Sequence, residues 1–273
     1  MLKLEDLMDS NEWTLRNTPT YRTVAPDLVL IGIVHRDFET KPKGKLHRLK
    51  HELDSLTHLA FEATERGFDE MKRHKRINYE IFAHNYFKGQ KHYLDSGSNR
   101  SELLAEHGLG RELHKYFLVF GATKGIIQKQ GENLDAKEFF RMLQEYFKSI
   151  EMFGTEIHGF KMPEIMDCYK KIFGGLIEND DLYDSCIEAY GCFSSYLGRL
   201  RDNRIYQPKI QNMRRNFEGH KGVIFGAYHA EYMFKLLTGQ VDENYIKWQD
   251  FVNQLGPVPK IGIEYFEQLS KRK

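Results

Sequence analysis

At 273 residues, the chain is long enough for one large domain or two small ones, taking roughly 150 residues per domain. Its content of 41% hydrophobic and 29% charged residues is that of a globular protein and excludes a disordered one. With 40 Lys+Arg against 39 Asp+Glu, the formal net charge of +1 excludes a strong long-range pull toward nucleic acid or anionic lipid. Cys168, Cys186 and Cys192 fit neither a disulfide framework nor a CxxC zinc site, and they point to a reducing compartment. The first residues do not have the pattern of a signal peptide. The longest apolar run, Leu28 to Val34, is far short of the ~20 residues of a membrane-spanning helix. The expectation is a cytoplasmic protein with no nucleic-acid or membrane partner.

Residues 1–26 end in polar turn material punctuated by Pro19 and Pro26. The Val/Ile-rich run from Leu28 to Val34 then reads as a strand buried on both faces, as in a parallel sheet covered by helices. Leu46, Leu49, Leu53 and Leu56 follow at helical spacing, and residues 56–62 read as a second strand, which completes a βαβ unit. From Glu62 to about Lys88 the pattern is helical, and residues 90–100 read as a loop. A helix over 101–116 is broken around Gly108 and Gly110; 134–153 and 163–200 are helical, with Pro163 in a first turn. Residues 222–229 repeat the pattern of 28–35, and a helix is expected from Glu231 to Leu237. Residues 257–266 read as a final edge strand. The expected fold is therefore one α/β domain over 1–273. Its central sheet is largely parallel or mixed, with helices on both faces. A mostly helical lid or insertion occupies about 64–200.

The two apolar strands both run into Gly-x-x-His: Gly32 with His35, and Gly226 with His229. Composition alone gives about one such match at this offset. Four occur, but Gly44/His47 and Gly89/His92 lie in polar or helical sequence and read as chance matches. Ligands of open α/β sheets bind beyond the carboxyl ends of the strands, where His35 and His229 would place imidazoles, the commonest ligands of transition metals. Each His alone reads equally as a hydrogen-bonded strand-end residue; the matched pair favours a shared site. Glu62 closes the second strand and is either a metal ligand or general base or an acid at a helix start. Arg201 and Arg204 offer guanidinium forks for a carboxylate, phosphate or oxyanion, with Asp202 between them as a metal ligand or a lock on Arg201. His47 and His51 do not make a zincin helix, because Arg48 occupies the Glu position.

In order, Gly32-x-x-His35, Glu62 after its strand, Arg201-Asp202-x-x-Ile205, and Gly226-x-x-His229-x-x-x-Met233 resemble the TraB/Tiki/ChaN-like superfamily over about residues 27–63 and 200–237. The resemblance implies pseudo-symmetric α/β halves around one site, with His35 and His229 in it, Glu62 beside them and Arg201 in support. It also implies metal-dependent protease or esterase-type chemistry in some branches and haem or iron handling in others. Leu200 stands where many members carry Glu, and Asp202 where some carry Asn. The leading expectation is a hydrolase of a peptide, amide or ester bond. It would use a divalent Mn, Co, Fe or Zn ion on His35, His229 and Asp202, with Glu62 and Arg201 as catalytic groups. Tyr228 and Arg204 would contact a small-molecule or peptide substrate. The alternative is a non-catalytic binder of haem, iron or a small ligand, with Tyr228 or His229 as axial ligand.

Overall fold

The computed structural model describes residues 19–34, 45–73, 78–95, 100–130, 141–145, 160–176, 179–241 and 246–272. They fall into two compact units: an α/β unit of residues 19–95 and 198–241, and a helical unit of residues 100–197 and 246–272.

The α/β unit is built on a five-stranded sheet in the order β1-β2-β5-β3-β4. The strands are β1 (Thr20–Ala25), β2 (Leu28–Ile33), β3 (His58–Phe61), β4 (Gln90–Tyr93) and β5 (Lys221–Gly226). β1 pairs antiparallel with β2, and the other pairings are parallel. The sheet is thus mixed and mostly parallel, as the apolar runs predict. Helix α1 (Lys45–Asp54) connects β2 to β3, and α2 (Glu65–Arg73) and α3 (Tyr79–Tyr86) connect β3 to β4.

Side chains alternate across the sheet, so the central strands feed two cores. Leu28, Leu30, Val223, Phe225 and Ala60 face one side and pack with Tyr206, Ile210, Met213, Met233 and Leu236. Those partners lie on a π-helical turn (Asp202–Tyr206), on α8 (Gln207–Asn216) and on α9 (Ala227–Leu237). Ile31, Ile33, Ile224, Leu59 and Phe61 face the other side and pack with Leu49, Leu53, Phe68 and Ala83 of the β2–β4 connections. Each fully buried Leu, Ile or Phe contributes about 1.5–3 kcal/mol relative to exposure, which is why continuous apolar runs mark these strands.

The helical unit comprises α4 (Arg100–Glu106), α5 (Arg111–Gln130), α6 (Met162–Leu176), most of α7 (Asp180–Arg201), α10 (Trp248–Asn253) and α11 (Pro257–Lys271). Its core is aromatic: Phe117 stacks on Phe193 at 4.5 Å, and Trp248 and Phe266 meet Phe117 edge-on. Gly108 adopts φ +89°, the left-handed turn that separates α4 from α5, as the break at Gly108 predicts. All three cysteines are free and buried, and burial pushes the Cys186 and Cys192 thiols up to about 12 and about 11.

Four local expectations are corrected. Thr20–Ala25 is a strand rather than turn material, and Gln90–Tyr93 is a strand rather than a loop. Both are edge strands with no fully buried residue, so neither shows an apolar run. Residues 257–266 belong to α11 instead of a final strand: Pro259, Gly262, Ile263, Phe266 and Leu269 are buried at helical spacing, and Pro257 starts the first turn. The helix after β5 begins at Ala227 and not Glu231, which puts His229 in its first turn. Much of 134–153 lies outside the described residues, although 141–145 is helical.

Candidate functional site

Parallel pairing delivers the carboxyl ends of β2, β5, β3 and β4 to one edge of the sheet. Gly32 lies opposite Phe225 and Ile33 opposite Gly226, so the two Gly-x-x-His strands are one residue out of register. Glu62, just past β3, donates its backbone N–H to Ile224 of β5 at 3.2 Å. Asp95, just past β4, donates its N–H to the Glu62 carbonyl at 3.2 Å. Backbone pairing therefore places Glu62 and Asp95 at the ends of adjacent strands.

The remaining groups come from the end of α7 and the start of α9. Beyond Arg201, the chain widens into the π-helical turn, closed by the Gln207 N–H donating to the Asp202 carbonyl. Such insertions re-aim side chains and recur at functional sites. Here Asp202 is fully buried, with Oδ1 and Oδ2 at 2.8 and 3.0 Å from His229 Nδ1. The other ring nitrogen, Nε2, is 3.5 Å from Glu62 Oε1. Glu62 Oε2 accepts a 3.0 Å hydrogen bond from the Gly226 N–H where α9 begins, an end of the helix that favours negative charge. The Arg201 guanidinium reaches Asp95 Oδ2 at 3.3 Å and Glu62 Oε1 at 3.7 Å, and it donates to the Tyr206 hydroxyl. Tyr206 is itself buried against Phe225. Lys209 of α8 donates to the Leu94 carbonyl beside Asp95.

Burying charges requires partners, and the titration directions follow from them. Burial works against the charge of Arg201, but Tyr206 and the carboxylates of Glu62, Asp95 and Asp202 hold its proton more tightly than usual. Burial would depress His229, but Glu62 and then Asp202 outweigh it and raise the imidazole. Burial raises the Asp202 carboxyl against the pull of His229. The His229–Asp202 pair thus retains its proton above the ordinary histidine range, with Nδ1–H donating to the carboxylate.

The structure brings together Glu62, Arg201, Asp202 and His229. Tyr228 borders His229, edge to face at 5.8 Å. A Cβ placed on Gly198 would lie 3.4 Å from His229 and 3.7 Å from Tyr228, so α7 packs its glycine against both rings. Arg204 is exposed on the π-helical turn and takes no part in these bonds. His35 lies outside the described residues. Asp95, Tyr206 and the Gly226 N–H were not legible as site groups, the first because β4 reads as a loop. Glu62 after Phe61 and Asp95 after Leu94 are the same arrangement on adjacent strands, and that parallel was the available signal.

For a metal ion, the described cluster offers His229 Nε2 and Glu62 Oε1 as facing donors. Among the described residues no group of three or more His, Cys, Asp or Glu side chains is arranged to hold a metal. No described helix is long and apolar enough to cross a membrane. The chain matches no family profile, no curated protein and no solved structure.

Proposed function

We propose that the α/β unit is a metal-assisted hydrolase of a peptide, amide or ester bond in a small-molecule or peptide substrate, working in the cytoplasm. The observation that carries this reading is the His229 imidazole, fixed through Nδ1 by buried Asp202 and aimed through Nε2 at Glu62 Oε1. A carboxylate on the far nitrogen of a metal-binding His is the usual way to set its tautomer and orientation. Asp202 therefore serves better as the orienting group than as a ligand. Once its Nε2 proton is displaced, His229 fits a divalent cation such as Mn, Co, Fe or Zn as a nitrogen donor, with the Glu62 carboxylate beside it as the base. His35, at the end of the matching strand motif, is the further donor we assign. Such an ion supplies Lewis acidity toward water and a scissile carbonyl.

The protein's own groups divide the remaining work. Glu62 takes the proton of the attacking water. Arg201, oriented by Asp95 and Tyr206, faces negative charge developing on the carbonyl oxygen. Tyr228 flanks the reacting group. The motif order supports kinship with the TraB/Tiki/ChaN-like proteins. Carboxylates facing both ring nitrogens of His229 suit a small cation better than a haem plane.

The test is metal analysis of purified protein together with a peptide and ester panel. We expect bound metal and metal-dependent turnover in the wild type, both lost in a His35→Ala/His229→Ala variant. Equal metal content in the two proteins refutes the metal role. A stoichiometric Soret shift with hemin, without turnover, refutes the hydrolase in favour of the haem-binding alternative.

A further inference from the structure

A second histidine pair lies further back along the parallel strands β3 and β4. His58 opens β3 and His92 lies within β4. His58 Nδ1 and His92 Nε2 are 3.2 Å apart, with ring centroids at 5.4 Å and planes tilted by 36°. Phe217 packs against both rings, 4.9 Å from each centroid. The separation is set by backbone: β3 and β4 are directly hydrogen-bonded neighbours, and the Gln90 N–H donates to Thr57 at 3.0 Å just below the pair. Gly89 reinforces the clamp, since a Cβ there would lie 2.4 Å from the Thr57 carbonyl oxygen. The sheet therefore holds the two backbones as diagonal neighbours on adjacent strands, and Phe217 backs both rings.

We propose that His58 and His92 chelate a late first-row divalent ion, Cu2+ or Zn2+, at a site independent of the carboxyl-end cluster. Two imidazole nitrogens bound to one tetrahedral ion at 2.0–2.1 Å lie roughly 3.3 Å from each other, so the pair already has the required bite. Only the rings must turn, with each proton on the outward nitrogen. That is a change of tautomer with no net loss of protons. Burial and the neighbouring His58 both hold the His92 imidazole below its usual range. Nitrogen ligands favour Cu2+ and Zn2+ over Mg2+ or Ca2+. Water completes the coordination on the part-exposed side of His92. Along the strands His58 lies four residues, roughly 13 Å, before Glu62, and His92, opposite Ala60, two residues, roughly 7 Å. An ion here would staple β4, an edge strand, to β3.

The experiment titrates CuSO4 or ZnCl2 into full-length protein carrying His229→Ala, which silences the candidate catalytic site. We expect one equivalent to bind, absent in added His58→Phe or His92→Phe, each of which keeps an aromatic ring on Phe217. We also expect a Cu2+ electron paramagnetic resonance spectrum with coupling to two nitrogens. At zinc a hundredfold above Kd, the melting transition should rise by roughly 5–10 °C, while MgCl2 leaves it unchanged. No binding in the His229→Ala protein overturns the proposal, as does binding indifferent to both Phe substitutions. Should the Phe variants fail to fold, a Cu2+ spectrum without two-nitrogen coupling overturns it as well. None of these readouts depends on hydrolysis, so loss of the proposed function leaves this result standing or falling by itself.

Discussion

Replacing Glu62 by Gln is nearly isosteric and separates the roles this side chain could play. The Gln carbonyl can keep the bond that Oε2 accepts from the Gly226 N–H at 3.0 Å. The other oxygen becomes an NH2 donor facing His229 Nε2 at 3.5 Å and Arg201 at 3.7 Å, so two favourable contacts turn into donor against donor. At an effective dielectric of ~20, unit charges at such distances attract by about 4–5 kcal/mol each. Most of that is offset because the partly buried carboxylate no longer has to be desolvated. The net loss should be about 1–3 kcal/mol. An acid that merely favoured the start of α9 or α2 would cost only ~0.3–1 kcal/mol. As general base, Glu62 should take ~10²–10⁴ of turnover with it while metal stays bound; as ligand, it should lower metal content too. Thermal denaturation, metal analysis and turnover of one variant therefore distinguish structure, proton transfer and coordination. Full activity with normal metal content would refute the catalytic assignment.

His84 and His114 are buried neutral. Burial, then Lys91 and Lys72, pull His84 down to about 4; burial, then Arg100, do the same to His114. Unfolded histidine titrates near 6.5, so below that pH the unfolded chain binds protons that the fold refuses. Stability present above pH ~6.5 should be lost as pH falls toward 4, by up to about 3 kcal/mol for each residue. His229 acts with the opposite sign: its contribution is present below the unfolded value and fades as pH rises through its raised one. Urea midpoints from pH 4 to 8 check this, and a flat profile between 4 and 6.5 contradicts it. Gly32→Ala would put a Cβ 3.0 Å from Ala230 Cβ and 3.3 Å from Ala227 Cα, besides 2.5 Å from the Thr20 hydroxyl. The hydroxyl can rotate away, but the helix contacts yield only if α9 moves, at about 1–3 kcal/mol. Because α9 carries His229, both melting temperature and turnover should fall; an unchanged melting temperature would show that the close approach is not constraining.

How far the sequence was legible follows from where burial is symmetrical. β2, β3 and β5 lie inside the sheet with a core on each face, so beyond the opening His58 and Lys221 every position is apolar and the run announces itself. β1 and β4 are edges. Gln90, Lys91 and His92 carry no apolar pattern, and their strand exists because backbone groups pair with β3, which composition does not record. The misreading of β4 then hid Asp95, because a carboxylate in a loop is unremarkable whereas one beyond a parallel strand belongs to the ligand edge. α11 failed for a different reason. Val258, Ile261 and Ile263 suggest a strand, but the buried set at 259, 262, 263, 266 and 269 has helical period, and the exposed Val258 and Ile261 are its outer face.

Glu62, Arg201, Asp202 and His229 could be nominated because each is a polar residue placed where apolar strands or a helix end, and a buried charge needs a reason. Their pairing could not be nominated. That His229 takes Asp202 on one nitrogen and Glu62 on the other depends on the π-helical turn and on α9 starting at Ala227, immediately after β5. Had the helix begun at Glu231, His229 would extend the strand, and its ring direction would follow the strand's alternation instead of the first helical turn. Gly-x-x-His therefore carries its meaning in the join: β5 ends at Gly226, whose N–H binds Glu62, and three residues later the helix presents the imidazole to that same carboxylate.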